Sequence, residues 1–318
     1  MNKQPAWSAP IKSAYLTLTG YKADVLQEEH GFGGFLFDTA GRLVVVGNGW
    51  TWLYTTRVVD GRWESWARRF HPETLRRGPA RLVLLPAENR DRAVLHNVIS
   101  LAEDFYVGFL CDGIGITVAT ATAPNGDFTI DPEFTLYPEI GWETRNGPVD
   151  GWSLESNGAM VPVSEDTDSV VFWQGYDSYR KDGGFGELGW ARLRIDRKTR
   201  RVELLERHSD NPVQFLQEGS LCARCGGNLD HDIRIGGKHA FFFYTRPTRG
   251  TLKLGLALSD DPLFFEDVLI EIFGSLFGEE QVAEKFEALQ YGDQLYLFYE
   301  SMIKDKSWRT GVRTYRLD

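Results

Sequence analysis

A three-strand pattern with an aromatic centre recurs along the chain, and it constrains the fold more than any other feature. Its clearest copy is residues 226–262, GGNLDHDIRIGGKHAFFFYTRPTRGTLKLGLALSDDP. Residues 229–235, 238–245 and 251–258 read as successive strands, the last with apolar residues at every second position. Gly236-Gly237 joins the first two as a tight hairpin, because glycine supplies the positive φ such a turn needs. Aligning the aromatic strands 104–109 (DFYVGF), 239–244 (HAFFFY) and 294–299 (QLYLFY) brings the flanking strands into register. His96-Asn97 then stands opposite His231-Asp232 and Phe286-Glu287. The third strands, 115–122, 252–259 and 310–315, follow after turns of varying length. Two weaker copies fill the gaps: 33–37 followed by 43–47 (LVVVG), and 160–163 followed by 169–175 (SVVFWQG).

Five four-stranded units spaced by roughly 55 to 75 residues predict an all-β chain, a five-bladed β-propeller of four-stranded antiparallel blades. The blades are expected at 30–66, 81–138, 152–208, 226–270 and 284–318, within one domain. Residues 14–19 (AYLTLT) read as a strand that completes the last blade, since an unclosed ring would leave unpaired sheet edges. Residues 68–81 (RRFHPETLRRGPAR) read as a basic connection with His71 on the surface. Residues 137–152 and 176–187 read as long loops, and 274–281 as a short connection with one helical turn.

The net charge of −10 argues against a phosphate-backbone partner, so no nucleic acid is expected. No apolar run reaches the roughly 18 residues of a membrane span, and the first twenty residues lack a signal peptide's apolar core. The expectation is a cytoplasmic protein with no membrane partner. Three cysteines fit that: Cys111, and a lone Cys-x-x-Cys at Cys222 and Cys225 that lacks the second pair of a structural zinc site.

A propeller gathers the starts of its inner strands around one axis. Those starts are rich in acids and histidines: Glu28, Glu29 and His30; His96 and Asn97; Glu155 and Asn157; Asp230, His231 and Asp232; Glu284 and Glu287. Charge in a narrow channel is costly unless it is paired, hydrated or used. Neighbours on a strand face opposite ways, so His231 and Asp232 should not both face the axis. Trp50 and Trp52, beside Gly47 and Gly49, and Trp142 in the 137–152 loop are candidates to stack on a ligand.

With these residues on the page, the chain resembles the five-bladed propeller glycosidases: arabinanases, β-xylosidases, levansucrases and invertases. Glu284 stands eight residues before Gly292 in EKFEALQYGDQLYLFYES, as the general-acid glutamate of the arabinanase-like enzymes precedes its hairpin and tyrosine-rich strand. Residues 255–262 (GLALSDDP) are similar to their third strand and following turn. The chain differs in having no Asp-Pro at its first inner strand and Lys285-Phe286 after the acid. The resemblance implies a glycoside hydrolase that works with paired carboxylates and no cofactor on a small-molecule or carbohydrate ligand. Carboxyl groups roughly 6.5–9.5 Å apart invert, and groups roughly 5–5.5 Å apart retain, the anomeric configuration. Asp232 would be base or nucleophile and Glu284 the acid, with Glu287 and Glu155 as substitutes. His96, Asn97, His231 and Asp230 would bind substrate hydroxyls, and Trp50, Trp52 and Trp142 would stack on sugar faces.

Three other readings use the same residues. His30, His96 and His231 with a carboxylate would hold a metal ion. Channel acids would serve an isomerase or cyclase on a non-sugar molecule. A non-catalytic carbohydrate-binding propeller would need the aromatic loops but no acid pair.

Overall fold

The computed structural model describes residues 16–26, 31–180, 185–212, 227–228, 233–245, 253–263, 269–275, 280–303 and 308–317. They are strands and turns, with a single 3-10 turn at Trp142–Thr144. No helix among them is long and apolar enough to cross a membrane. The chain divides into two compact units, one of residues 27–212 and one of residues 1–26 with 213–318.

The strands, in chain order, begin with β1 (Leu16–Leu26), β2 (Gly31–Phe37), β3 (Thr51–Val59), β4 (Arg62–His71), β5 (Arg76–Arg77) and β6 (Arg81–Leu84). Then come β7 (Val94–Ala102), β8 (Phe105–Cys111), β9 (Ile116–Ala121) and β10 (Thr129–Leu136). These are followed by β11 (Trp152–Glu165), β12 (Ser169–Arg180), β13 (Phe185–Asp196) and β14 (Arg201–Arg207). The remainder are β15 (Gly227–Asn228), β16 (Arg234–Ile235), β17 (Lys238–Thr245), β18 (Lys253–Ser259), β19 (Leu269–Ser275), β20 (Glu280–Tyr291), β21 (Gln294–Ile303) and β22 (Trp308–Leu317).

In the 27–212 unit, β2–β3–β4 with β5 and β6 forms one antiparallel group and β7–β8–β9–β10 a second. Their first strands pair in parallel, Leu36 with Val98 and Phe37 with Ile99, so the two groups share one nine-stranded sheet. A separate four-stranded sheet runs β11–β12–β13–β14. In the other unit, β17–β18–β19 carries β15 and β16 on its first edge, and a four-stranded sheet runs β20–β21–β22–β1. β1 is the outermost strand there, with Leu16 opposite Leu317, so an N-terminal strand does complete the last sheet. Its Leu16 joins Tyr315, Leu295 and Leu297 in that unit's core. The three aligned aromatic segments are the second strands β8, β17 and β21, and the Gly236-Gly237 turn has both glycines at positive φ, 59° and 81°.

Four expectations change. Residues 43–47 (LVVVG) form no strand, only bridges from Phe37 to Leu43 and from Val46 to Trp50. β3 pairs with β2 only as far as Phe35, and beyond it the run meets β2 through the Phe37–Leu43 bridge and the Val44 N–H to Leu36 carbonyl bond alone, too short a contact to make a ladder. β6 pairs with β4, which assigns residues 81–84 to the first group, and the basic residues Arg68–His71 continue β4. Residues 176–180 and 185–187 belong to β12 and β13, whose ladder reaches Tyr179 opposite Phe185. Residues 274–275 end β19 and 280–281 begin β20, so the described part of 274–281 is strand.

The first strands β2, β7, β11 and β20 share one irregularity. Gly33 is an extra residue between the pairs Phe32–Thr55 and Gly34–Tyr54. His96 is the extra residue between Leu95–Leu110 and Asn97–Phe109. In β11, three residues lie between Ser156 and Met160, where β12 has one between Tyr176 and Gln174. In β20, two lie between Glu284 and Glu287, where β21 has one between Glu300 and Phe298. A bulge bends the strand and re-aims side chains, which lifts the strict alternation assumed from sequence.

The first two bulges abut. A Cβ on Gly33 would sit 2.2 Å from the Leu95 carbonyl oxygen, and one on Gly34 1.7 Å from that of His96. Gly34 also has φ +147°. Only glycine lets the two backbones come this close. We predict that Gly34→Ala destabilises the protein by about 2–4 kcal/mol, from overpacking and backbone strain together; the urea unfolding midpoint measures it. A midpoint within error of wild type would refute this account of the β2–β7 contact.

Candidate active site

The bulge of β7 places His96 beside the start of β11. His96 Nε2 lies 3.2 Å from Glu155 Oε1. His96 and Asn97 are buried, while Glu155 keeps 27% of its side-chain surface exposed. Across the β11–β12 ladder Glu155 is directly opposite Asp177, and Ser153 directly opposite Tyr179. Cross-strand partners share a face, so the two carboxylates project to the same side, an arrangement that costs stability on its own. His96 Nε2 stands beside Glu155, and the Arg92 guanidinium interacts electrostatically with it.

A buried polar group surrounds this pair. Cys111 Sγ is 3.6 Å from the Tyr179 hydroxyl. Burial, and then the Glu155 carboxylate, push the Cys111 thiol up to about 12. Burial, Cys111 and Glu155 raise the Tyr179 phenol as well. Burial alone would depress the Arg92 guanidinium, but Tyr179, Cys111, Glu155 and Asp91 together hold it above its ordinary value. At neutral pH the thiol and phenol are therefore neutral.

In the other unit, Glu287 is buried on β20 immediately after the bulge. Glu284, immediately before it, is in register with Glu300. Asp230, His231 and Asp232 lie outside the described residues, as do Glu28, Glu29, His30, Cys222 and Cys225. Among the described residues, no three His, Cys, Asp or Glu side chains converge as metal ligands would.

Sequence reading missed Asp177 and Glu300. Asp177 was hidden in a segment whose Tyr, Ser and Gly content resembles a loop, and Glu300 trails the aromatic run of β21. The available signal was register: each stands across a ladder from an acid already singled out.

Trp52 and Trp142 pack against other groups. Trp52 is paired with Arg69 and lies beyond Leu53 and Tyr54, toward the end of β3 away from Gly31 and Thr56. Trp142 packs its ring on Tyr176, centroids 5.5 Å apart, and covers Gly189, where an added Cβ would come within 2.5 Å of it. The loop that carries it is pinned by Glu143, which is 2% exposed. Glu143 Oε1 accepts from the Tyr176 hydroxyl at 2.6 Å and from Arg207 Nε at 3.0 Å, and Oε2 accepts from the Glu139 N–H at 2.6 Å. With its acceptors occupied, Glu143 holds structure.

With this geometry established, comparison with known proteins is informative. No protein-family profile matches the chain, and no curated protein matches it. Solved structures do. A levansucrase variant from B. megaterium has a TM-score of 0.56 at 7% identity, over 95% of this chain and 88% of that one. The endo-arabinase of Bacteroides thetaiotaomicron has a TM-score of 0.53 at 12% identity, over 92% and 96%. The catalytic domain of a GH62 α-L-arabinofuranosidase from Coprinopsis cinerea has a TM-score of 0.52 at 13% identity, over 95% and 96%. The chain thus resembles in fold the β-propeller glycosidases, in agreement with the resemblance read from its sequence.

Two predictions follow from the burial. Glu143→Ala leaves Arg207 without its buried partner and should cost about 3 kcal/mol, read as a lower unfolding midpoint. Cys111 should resist a thiol reagent at pH 8 in the native protein and react on unfolding. Its native value lies above the ordinary 9.0. The unfolded thiol therefore ionises first, and this group lowers stability as pH rises from 9.0 toward about 12. Rapid labelling of native Cys111 would contradict its placement.

Proposed function

We propose that the chain is a single five-bladed β-propeller that acts as a glycoside hydrolase-like enzyme, with paired carboxylates at its inner-strand starts performing acid–base chemistry on a carbohydrate. One observation carries the proposal: Glu155 stands directly opposite Asp177 on one face, with His96 Nε2 3.2 Å from Glu155. Two carboxylates on one face beside an imidazole bring together the group types that acid–base chemistry needs. In the unit of residues 1–26 and 213–318, Asp232 acts as base or nucleophile and Glu284 or Glu287 as acid. In the 27–212 unit Glu155 serves as the acid candidate, Asp177 as its partner, and His96 and Asn97 as substrate-hydroxyl contacts.

The chemistry needs one carboxyl to protonate the leaving oxygen and a second carboxylate to activate water or attack the anomeric carbon. Neither step requires a cofactor. The named functions of the similar structures supply the probes: an aryl α-L-arabinofuranoside, arabinan and kestose.

The test is turnover of that panel by the wild type and by Asp232→Asn, Glu284→Gln and Glu155→Gln. Loss of an acid–base group should lower kcat by about 10²- to 10⁴-fold, with the circular dichroism spectrum unchanged. Full activity in all three variants, or no turnover of any glycoside by the wild type, would refute the proposal.

A further inference from the structure

A second cluster of aromatic and basic side chains lies on the first group of strands, away from the acids. Trp52 on β3 is directly opposite Arg69 on β4, whose guanidinium carbon is 5.8 Å from the indole centroid. His71, two residues along β4 and on the same face, is opposite Arg76 on β5. Trp50 meets the His71 ring edge-on, centroids 5.6 Å apart at 82°. Trp50, Trp52, Arg69, His71 and Arg76 therefore form one patch across three strands. The indoles and the imidazole are half-buried, and both arginines are exposed.

Its charge is out of keeping with the chain. Residues 68–81 hold five arginines and one acid, Glu73, in a protein of net charge −10. Arg68 is buried, and Arg81 is held by Asp127 and the Asn125 carbonyl. Among the described residues, neither Arg69 nor Arg76 makes an ion pair. Two cations left unneutralised beside aromatic rings, in an acidic protein, are complementary to an anionic ligand with apolar faces.

We propose that this patch binds an acidic polysaccharide, a polyuronate chain whose ring C–H faces rest on Trp50 and Trp52 and whose carboxylates pair with Arg69 and Arg76. Guanidinium is suited to the ligand because it meets a carboxylate with two parallel hydrogen bonds. A nucleic acid is disfavoured: two cations neutralise too few phosphates to overcome the repulsion of the remaining negative charge. The site is separate from the Glu155 cluster and requires no turnover, so it stands or falls independently of the hydrolase reading.

The experiment is binding of the full chain to polygalacturonate, to neutral arabinan and to double-stranded DNA, followed by affinity electrophoresis and calorimetry. The expected result is preference for polygalacturonate, weakened by raising NaCl from about 0.05 to about 0.5 M. The Arg69→Ala/Arg76→Ala double variant should fold normally and bind about ten-fold more weakly or worse. Trp50→Ala should weaken binding in the same direction. Lys198→Ala/Arg201→Ala removes two positive charges elsewhere and should bind as the wild type does. The proposal is overturned if the wild type does not bind polygalacturonate, or if arabinan or DNA binds as well. It is equally overturned if the Arg69/Arg76 variant keeps full affinity, or if the Lys198/Arg201 control loses as much.

Discussion

The close approach of two backbones at Gly33 and Gly34 is the constraint on which the 27–212 unit depends. Side chains there would lie inside the carbonyl oxygens of Leu95 and His96. Their absence lets β2 run beside β7 and pair with it in parallel at Leu36 and Phe37. One sheet then continues across two strand groups, and Tyr54, Leu95, Val98 and Phe128 close a shared core. The same contact fixes the backbone of His96 where the imidazole meets Glu155. Packing and candidate chemistry thus share one piece of backbone.

The repeated bulge gives that contact its wider meaning. A regular strand would send His96 and Asn97 to opposite faces, and a polar residue that entered a core would cost stability without a partner. Extra residues, one each in β7 and β20 and two in β11, change the aim of the side chains at the point where acids and histidines gather. The chain places its costly groups there: buried His96 and Asn97, the opposed Glu155 and Asp177, and buried Glu287. Glu143 is a carboxylate held for structure: the Tyr176 hydroxyl and the Arg207 guanidinium donate to it and anchor a loop.

Much of the fold was legible because strand order follows local signals. Aromatic runs such as HAFFFY, glycine turns such as Gly236-Gly237 and alternating strands such as TLKLGLAL identify their ladders without reference to the rest of the chain. The AYLTLT segment was legible for a less local reason, since the last sheet lacked an outer strand. Errors arose where pairing is decided by competition. LVVVG has the composition of a strand but meets only the last two residues of β2, whereas Tyr176–Arg180 has the composition of a loop but lies between two long neighbours. The candidate site was legible in part. Residue type and repeat alignment pointed to His96, Asn97, Glu155 and Glu287, but Asp177 and Glu300 are visible only through ladder register.

The sequence by itself determined the all-β architecture, the repeating units, the acidic balance and the stretches in which polar residues collect, because each is set by composition and short-range periodicity. Tertiary structure decided which of those residues meet. Whether Glu155 faces Asp177, whether Trp142 stacks on a ligand or on Tyr176, and whether Arg69 and Arg76 line up beside two tryptophans depend on register, bulges and edge pairing. Those are properties of strands distant in sequence, and a shift of one residue in a ladder would reverse every one of them.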